Sequence, residues 1–553
     1  MYLIPLPSKI TAQDGLFLID HNTAIVLDVA QDDNDLETAK LLQQEIKKVI
    51  AITLPIKKVL RSAGKLAENC IDFQYDSMDG REDAYRLTVR SDIITIIACS
   101  NRGFLYGAAT LIQLCKISRG EIGCVDIVDE PSYLNRGYML DVSRGRVPTM
   151  DSLKVLVDRL ALYKINQLQL YMENCLRLDG FEEMWSQTDP FTPEDILELD
   201  CYCNIRGVEL VPCVATFGHL YDLLRSVGFG KYREMDTARL IWGDIVKSHS
   251  KHLDKLSAQV ICLNWYYDYG AKEETVKIFS DKGLKQYVCP SVSGYSRLVN
   301  AYDMSFTNIR EMAKLGHQYH ADGFLNTHWG DCGHINMPAL SIPGMIYGAA
   351  QGWNVEDDRD FSTIDQAISL VEYGDPGKSL VGLLRELSHQ DFITFKDLAF
   401  FRDYKVYNQN YNESGIDLNE KAKEEMLQVS ENQLKTAVTR CEEIFDSLKQ
   451  NNMGSYANRQ EEMLEYYLAA RGVALMQRLT LVLKEREYGQ DVHPLDAPYE
   501  LAGKLDYWLM DYCTAWRTGS RESELYRIKE FFGQICSILR KYDAKVSIKI
   551  PDI

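Results

Sequence analysis

The run Arg136-Gly-Tyr-Met-Leu-Asp141-Val-Ser-Arg144 is a short apolar strand pattern that ends in a carboxylate and a guanidinium and leads into helical spacing. In a parallel barrel, binding and catalytic groups stand at the C-terminal ends of strands, where the strand-to-helix loops converge. Later apolar runs also end in reactive groups: Glu173-Asn174, His219 after Thr216-Phe-Gly, Trp242-Gly-Asp244, Trp265-Tyr-Tyr267-Asp268, Ser291-Val-Ser293, and His328-Trp329-Gly-Asp331 with His334 close by. Aromatic rings beside carboxylates suit a pyranose, whose C–H faces stack on rings while its hydroxyls need acceptors and donors. No P-loop and no Gly-x-Gly-x-x-Gly follows a strand pattern, so a nucleotide is not indicated.

The elements that must position these groups follow from periodicity. Strands are predicted at Gly137–Asp141, Gln167–Met172, Val208–Val214, Arg239–Asp244, Val260–Trp265, Gln286–Cys289 and Gly323–Trp329, with helical patterns between them. That alternation implies a parallel sheet with crossover helices. Thr149 is placed to cap the first of these helices, and Thr192-Pro-Glu-Asp195 opens the next with a cap, a proline at the first turn and two acids at the positive end. Residues 1–130 read as a separate α+β domain, with a strand at Thr23–Asp28, a helix over Asp35–Ile50, two strands at Ala84–Val89 and Ile93–Cys99, and a helix over Gly103–Cys115 in which Gly107, Ala108 and Ala109 allow close packing. The barrel is expected over 131–360. The long amphipathic patterns at Asp417–Lys449 and Glu461–Glu487 predict an α-helical region over 361–553, suited to packing or to homo-oligomer contact.

Composition narrows the partners. With 553 residues and 46% hydrophobic content, the chain can bury more than one core. A net charge of −19, spread along the chain, disfavours nucleic acid and anionic lipid. No run approaches the roughly 20 apolar residues of a membrane span, and the N-terminus lacks a basic stretch before an apolar one, so a cytoplasmic location is expected. The 14 cysteines have no framework spacing, and several lie in apolar runs, which reads as buried thiols. His317 and His320 have ligand-like spacing without a third partner, so no metal is expected. Trp185 reads as a lid or a packed aromatic, Trp353 as packing for the last barrel helix, and Trp508 and Trp516 as core or interface.

The chain resembles the family 20 glycoside hydrolases, the β-N-acetylhexosaminidases, over roughly residues 1–360. The resemblance is carried by Asp129-Glu-Pro131 leading into the Arg136–Arg144 run, then by Leu160-Ala-Leu-Tyr-Lys-Ile-Asn166, Phe191-Thr-Pro-Glu-Asp195, Arg206-Gly-Val-Glu-Leu-Val-Pro212, Phe217-Gly-His219 and Trp329-Gly-Asp331. The barrel is most similar to the bacterial subgroup, through Tyr171-Met-Glu-Asn174 and Trp329-Gly-Asp331. The resemblance implies a TIM-type barrel behind an α+β domain and a site formed by Asp141, Arg144, Glu173, His219, Trp242, Trp265, Tyr267, Trp329 and Asp331. By the same resemblance Arg144 binds the sugar's outer hydroxyls, the three tryptophans wall the pocket, and Asp331 accepts from a hydroxyl. The implied activity is exo-release of terminal N-acetylglucosamine or N-acetylgalactosamine, with no metal or organic cofactor. The substrate's own acetamide attacks, steered by an Asp whose neighbouring Glu protonates the leaving oxygen.

One element departs from that pattern. Asp129-Glu130 is the sole Asp-Glu dipeptide in the sequence, and it precedes the barrel. Only Leu220–Leu240 separate the third strand pattern from the next, too few for a complete unit of about 30 residues. The expected fold is therefore an α/β barrel lacking one strand-helix unit, whose open edge predicts lower stability or association. Three accounts fit: a natural deletion, a segment missing from this sequence, or a substitute acid among Glu173, Asp244 and Asp268. Three functions remain open: a glycosidase, an inactive sugar-binding relative, and a structural or assembly protein.

Overall fold

A computed structural model describes residues 2–60, 68–180, 182–185, 189–214, 240–242, 259–413, 415–452 and 460–543. The first strands are β1 (Lys9–Leu18), β2 (Ala24–Asp28), β3 (Ile56–Val59), β4 (Cys70–Tyr75), β5 (Tyr85–Val89), β6 (Ile93–Ala98) and β7 (Glu121–Asp129). They form one mixed sheet in the order β1-β7-β5-β6-β4-β2-β3. Helices Asp33–Ile50 and Asn101–Ser118 share a core with it. Gly107 explains the closeness: a β-carbon there would come within 2.5 Å of Ile96. This is the α+β arrangement that the residue pattern predicts, with β1, β3, β4 and β7 added.

The second sheet contains β8 (Asn135–Asp141), β9 (Gln167–Met172), β10 (Glu209–Val214), β11 (Leu240–Trp242), β12 (Ile261–Trp265), β13 (Lys285–Cys289) and β14 (Gly323–His328). All seven predicted strands are present. Every pairing is parallel, in the order β10-β9-β8-β14-β13-β12-β11. The last strand pairs with the first, with Asn326 opposite Tyr138. The order ends at β10 and β11, and among the described residues no pairing joins those two strands. The sheet is thus a parallel, partly rolled α/β layer whose open side falls where the sequence is short of a unit.

Side chains alternate across each strand. Tyr138, Leu140, Leu168, Leu170 and Phe324 point outward into a core shared with helices Met150–Leu162, Tyr302–Gln318 and Ile342–Trp353. Met139, Tyr171, Leu263, Tyr287, Cys289, Leu325 and Trp329 pack together inside. Both predicted helix starts are capped: Thr149 accepts from Ser152 N, and Thr192 with Asp195 forms a reciprocal capping box.

The C-terminal helices continue the outward core instead of forming a detached bundle. Trp508, Tyr512, Trp516 and Phe532 belong to the same buried cluster as Leu170 and Phe324. Arg146, just past β8, lies 3.7 Å from the Trp516 ring centroid and donates to Tyr512 Oη. The pattern read as one helix over Asp417–Lys449 is two, Leu418–Gln428 and Glu431–Asn452, broken at Val429. Among the described residues no helix is long and apolar enough to cross a membrane.

Trp353 has a different job from the one its sequence suggests. It ends the helix Ile342–Trp353 but packs on Tyr106 and Tyr85 of the first domain and donates its indole N–H to Asp129. Arg136 is another junction residue, fully buried, with its guanidinium bonded to Asp83, Tyr106 and the carbonyls of Tyr133 and Lys164.

Candidate sugar site

The inward alternation of β8, β9 and β14 brings Asp141, Tyr171 and Trp329 to one end of the sheet. Arg144 sits among them. Its guanidinium lies over the Trp329 ring at 4.9 Å and the Tyr171 ring at 5.3 Å, and Nη1 donates to Asp331 Oδ1 at 2.9 Å. Nε lies 3.4 Å from Glu173 Oε1 and 3.7 Å from Asp141 Oδ2. Glu173 is held on its other side by the Tyr171 hydroxyl, which donates to Oε1 at 2.8 Å. The result is a cation clamped between two rings and surrounded by three carboxylates. Burial alone would lower the Arg144 pKa, but Asp141 and Asp331 hold it above its ordinary value, so it stays charged.

Asp141 is the anchor rather than an outward-reaching ligand. It is fully buried and accepts from the backbone N–H groups of Ser143, Arg144 and Gly330, which ties the loop after β8 to the loop after β14. Gly145 makes that approach possible: its φ is +118°, and a β-carbon there would sit 2.5 Å from the Gly333 carbonyl oxygen. The same loop is bonded to the far end of the chain, with Arg521 N donating to Val147 O, Thr149 N to Gly519 O and Glu524 N to Gly145 O.

Burial raises the Asp141 pKa to about 6 against the opposing pull of Arg144. A raised carboxyl pKa contributes stability that is complete below the unfolded value of about 3.9 and is lost as pH rises through about 6. The size is about 3 kcal/mol. Urea midpoints should therefore fall more steeply between pH 4 and pH 7 in the parent than in Asp141→Asn; equal slopes would exclude this assignment.

The remaining wall comes from β12 and its loop. Trp329 Nε1 donates to Tyr267 Oη at 2.7 Å, and Tyr267 stacks on Trp265 with centroids 5.0 Å apart. Tyr295 closes the row, 6.2 Å from Tyr267. Of the residues expected from sequence, Asp141, Arg144, Glu173, Trp265, Tyr267, Trp329 and Asp331 come together in this contact set. Asp268 is exposed and accepts from Tyr269 N; no described contact joins it to Arg144. Trp242 lies in β11, and His219 and Asp244 lie outside the described residues. Trp185 packs under Arg177 and donates to Leu178 O.

His328 and His334 belong to the other face. His328 contacts Tyr138 Oη at 2.9 Å and Ser341 Oγ at 3.1 Å, and burial lowers its pKa to about 3, so it is neutral. No group of potential metal ligands occurs among the described residues. The residues missed from sequence are Tyr171 and Tyr295. Tyr171 was legible in principle, since it lies two positions before Glu173 and therefore on the same face.

Aromatic rings and carboxylates around one guanidinium at the C-terminal end of a parallel sheet, behind an α+β domain, define an α/β protein with a ring-lined, charged candidate site. Comparison with known proteins agrees. The family model described as "Glycosyl hydrolase family 20, domain 2" matches residues 1–130. The beta-hexosaminidase of Akkermansia muciniphila is 34% identical over 158 residues, covering 25% of this chain and 32% of that protein. That of Porphyromonas gingivalis is 25% identical over 269 residues, covering 44% and 34%. The matches thus span about a third of these relatives' length. In fold, the chain is similar to a Flavobacterium johnsoniae chitobiase, with a TM-score of 0.54 at 15% identity over 97% of this chain and 99% of that one. It is also similar to the GH20 exo beta-N-acetylglucosaminidase of Vibrio harveyi, with a TM-score of 0.52 at 17% identity over 69% and 78%. Residues 1–130 thus match a family 20 glycoside hydrolase domain, and the chain is similar to beta-hexosaminidases over part of their length.

Proposed function

We propose that this chain acts on the terminal β-linked N-acetylhexosamine of a glycan, as a β-N-acetylhexosaminidase-type protein that releases it by the substrate-assisted retaining route. The observation that carries the reading is the Arg144–Asp331 pair, fixed between Tyr171 and Trp329 at the sheet's C-terminal end. A guanidinium and a carboxylate at one spot offer a donor and an acceptor to adjacent sugar hydroxyls, and the Trp329 and Trp265 rings offer faces to its C–H groups.

A second reading, sugar binding without turnover, is favoured by one specific observation. The chain's sole Asp-Glu dipeptide is Asp129-Glu130, and Asp129 is buried against Lys164 at the domain junction. The family chemistry relies on adjacent acids beside the anomeric carbon, and a general acid must reach the glycosidic oxygen.

Release of chromophore from an aryl β-N-acetylglucosaminide, measured beside calorimetric titration with N-acetylglucosamine, separates the readings. Turnover abolished in Glu173→Gln with sugar affinity retained would support the first reading and assign the acid. Binding without turnover would support the second. Absence of both would overturn the sugar assignment.

A further inference from the structure

A cleft of about 630 Å³ opens in the C-terminal region between the helices Phe395–Tyr407 and Leu418–Gln428 and the end of Gln460–Arg486. That is the size of a small-molecule site, and none of its lining residues belongs to the Arg144 cluster. Its floor is apolar, with Phe401, Ala422 and Met426 buried. Phe400, Tyr404 and Tyr488 add rings to the walls, and Tyr404 is 52% exposed. Among the described residues the Tyr404 and Tyr488 hydroxyls and the Asn410 side-chain amide have no hydrogen-bond partner.

The walls are fixed before any ligand arrives. Asn419 Nδ2 donates to Phe400 O at 2.9 Å, while Asn419 Oδ1 accepts from Tyr411 N at 2.7 Å, which ties the second helix to the first and to the turn between them. Lys484 Nζ donates to Met426 O and Leu427 O and so holds the second helix on the third. A preformed cleft loses little freedom on binding.

The charges narrow the ligand class. Lys405 Nζ pairs with Glu487 Oε2 at 2.6 Å, and Lys423 Nζ pairs with Glu420 Oε1 at 2.6 Å. With both lysines neutralised, the cleft is poorly suited to an anion, and its amides and carboxylates would be desolvated at a cost by a hydrocarbon. Ring faces for C–H groups, beside hydroxyls, an amide and carboxylates for O–H groups, suit a neutral saccharide. Tyr404 and Tyr488 stand on separate elements, so a ligand that uses both is an oligosaccharide. The helix Phe395–Tyr407 also leads from the candidate sugar site to this cleft. Lys396 N donates to Ser296 O, and Ser296 Oγ donates to Cys332 Sγ at 3.3 Å, beside Asp331. Tyr404 lies eight residues further on, about 12 Å along the helix.

We propose that this cleft is a second carbohydrate site, which holds a neutral oligosaccharide apart from the Arg144 site. It anchors a glycan without reacting with it.

Calorimetric titration with triacetylchitotriose tests this on the full chain carrying Arg144→Met, a background whose use rests on the proposed function. Binding in the millimolar range or tighter is expected there. Adding Tyr404→Ala should weaken it at least about tenfold, as truncating a central aromatic contact does. The unfolding midpoint should not move, because Tyr404 faces solvent. Tyr488→Phe, which keeps the ring and removes only the hydroxyl, should weaken binding by a smaller factor. No binding of the trimer to Arg144→Met would overturn the proposal, as would an affinity that Tyr404→Ala leaves unchanged. Binding that appears only after removal of residues 544–553 would make the chain's own tail the occupant and overturn it equally. Failure of the Arg144 assignment looks different, since single N-acetylglucosamine would then bind as before with both Arg144→Met and Tyr404→Ala in place.

Discussion

Arg144→Met is expected to abolish measurable affinity for N-acetylglucosamine while leaving a folded protein. Arg144 supplies the only described cation in contact with Asp331, and the two rings over its planes fix its direction. Hydrogen bonds to a charged donor contribute about 1.5–3 kcal/mol each, so losing two should weaken binding by more than about a hundredfold. Methionine keeps the apolar stem between Tyr171 and Trp329 but offers no donor. The fold should tolerate the change, because the Asp141 carboxyl, already raised to about 6, would rise further and take up a proton. Arg144→Lys should recover only part of the affinity, since an ammonium neither stacks flat nor donates along two directions. Calorimetric titration of both variants decides the matter. Affinity within threefold of the parent in Arg144→Met would remove this residue from the sugar site.

The second large effect concerns stability. Asp129→Ala should lower the unfolding free energy by about 4 kcal/mol, with Asp129→Asn costing less. This carboxylate accepts from Lys164 Nζ, Tyr85 Oη, Trp353 Nε1 and Ser8 N, four groups drawn from four segments across the domain junction. Removing it leaves the buried Lys164 ammonium without a counter-ion and the buried Trp353 indole N–H without its acceptor. Burial alone would raise the Asp129 pKa, but Lys164, Tyr85 and Trp353 together hold it below the usual carboxylate range. A depressed carboxyl contributes stability above its unfolded value of about 3.9 and loses it as acid protonates the folded state. Urea denaturation at pH 7 tests the claim, and an Asp129→Ala midpoint equal to the parent's would refute it. Sugar affinity at the Arg144 site should change little in the same variant.

The parallel sheet was legible because each strand is a short apolar run bounded by polar residues, which is what burial on both faces produces. The N-terminal sheet was only half legible. Its edge strand β1, Lys9–Leu18, is exposed along most of its length, so its sequence carries no two-residue alternation. Arg144, Glu173 and Trp329 could be ranked as candidate site residues from their strand-end positions. That Asp141 would turn inward to bind Gly330 N could not, because its partner lies 189 positions away. Trp353 illustrates the same limit: its helix could be placed from pattern, but its partner Asp129 lies 224 positions earlier. Sequence periodicity gives the face on which a residue lies. It does not give the element that will cover that face.

The bonds from Val147, Thr149 and Gly145 to the segment 519–524 carry a consequence for inheritance. The loop that presents Arg144 is stitched to residues encoded nearly four hundred positions later, and Arg146 beside it rests on Trp516. Recombination that joined this sheet to a foreign C-terminal region would deliver every strand intact and still leave Arg144 unsupported. Sheet and terminal helices are therefore expected to travel together through gene rearrangement, as one transmissible unit.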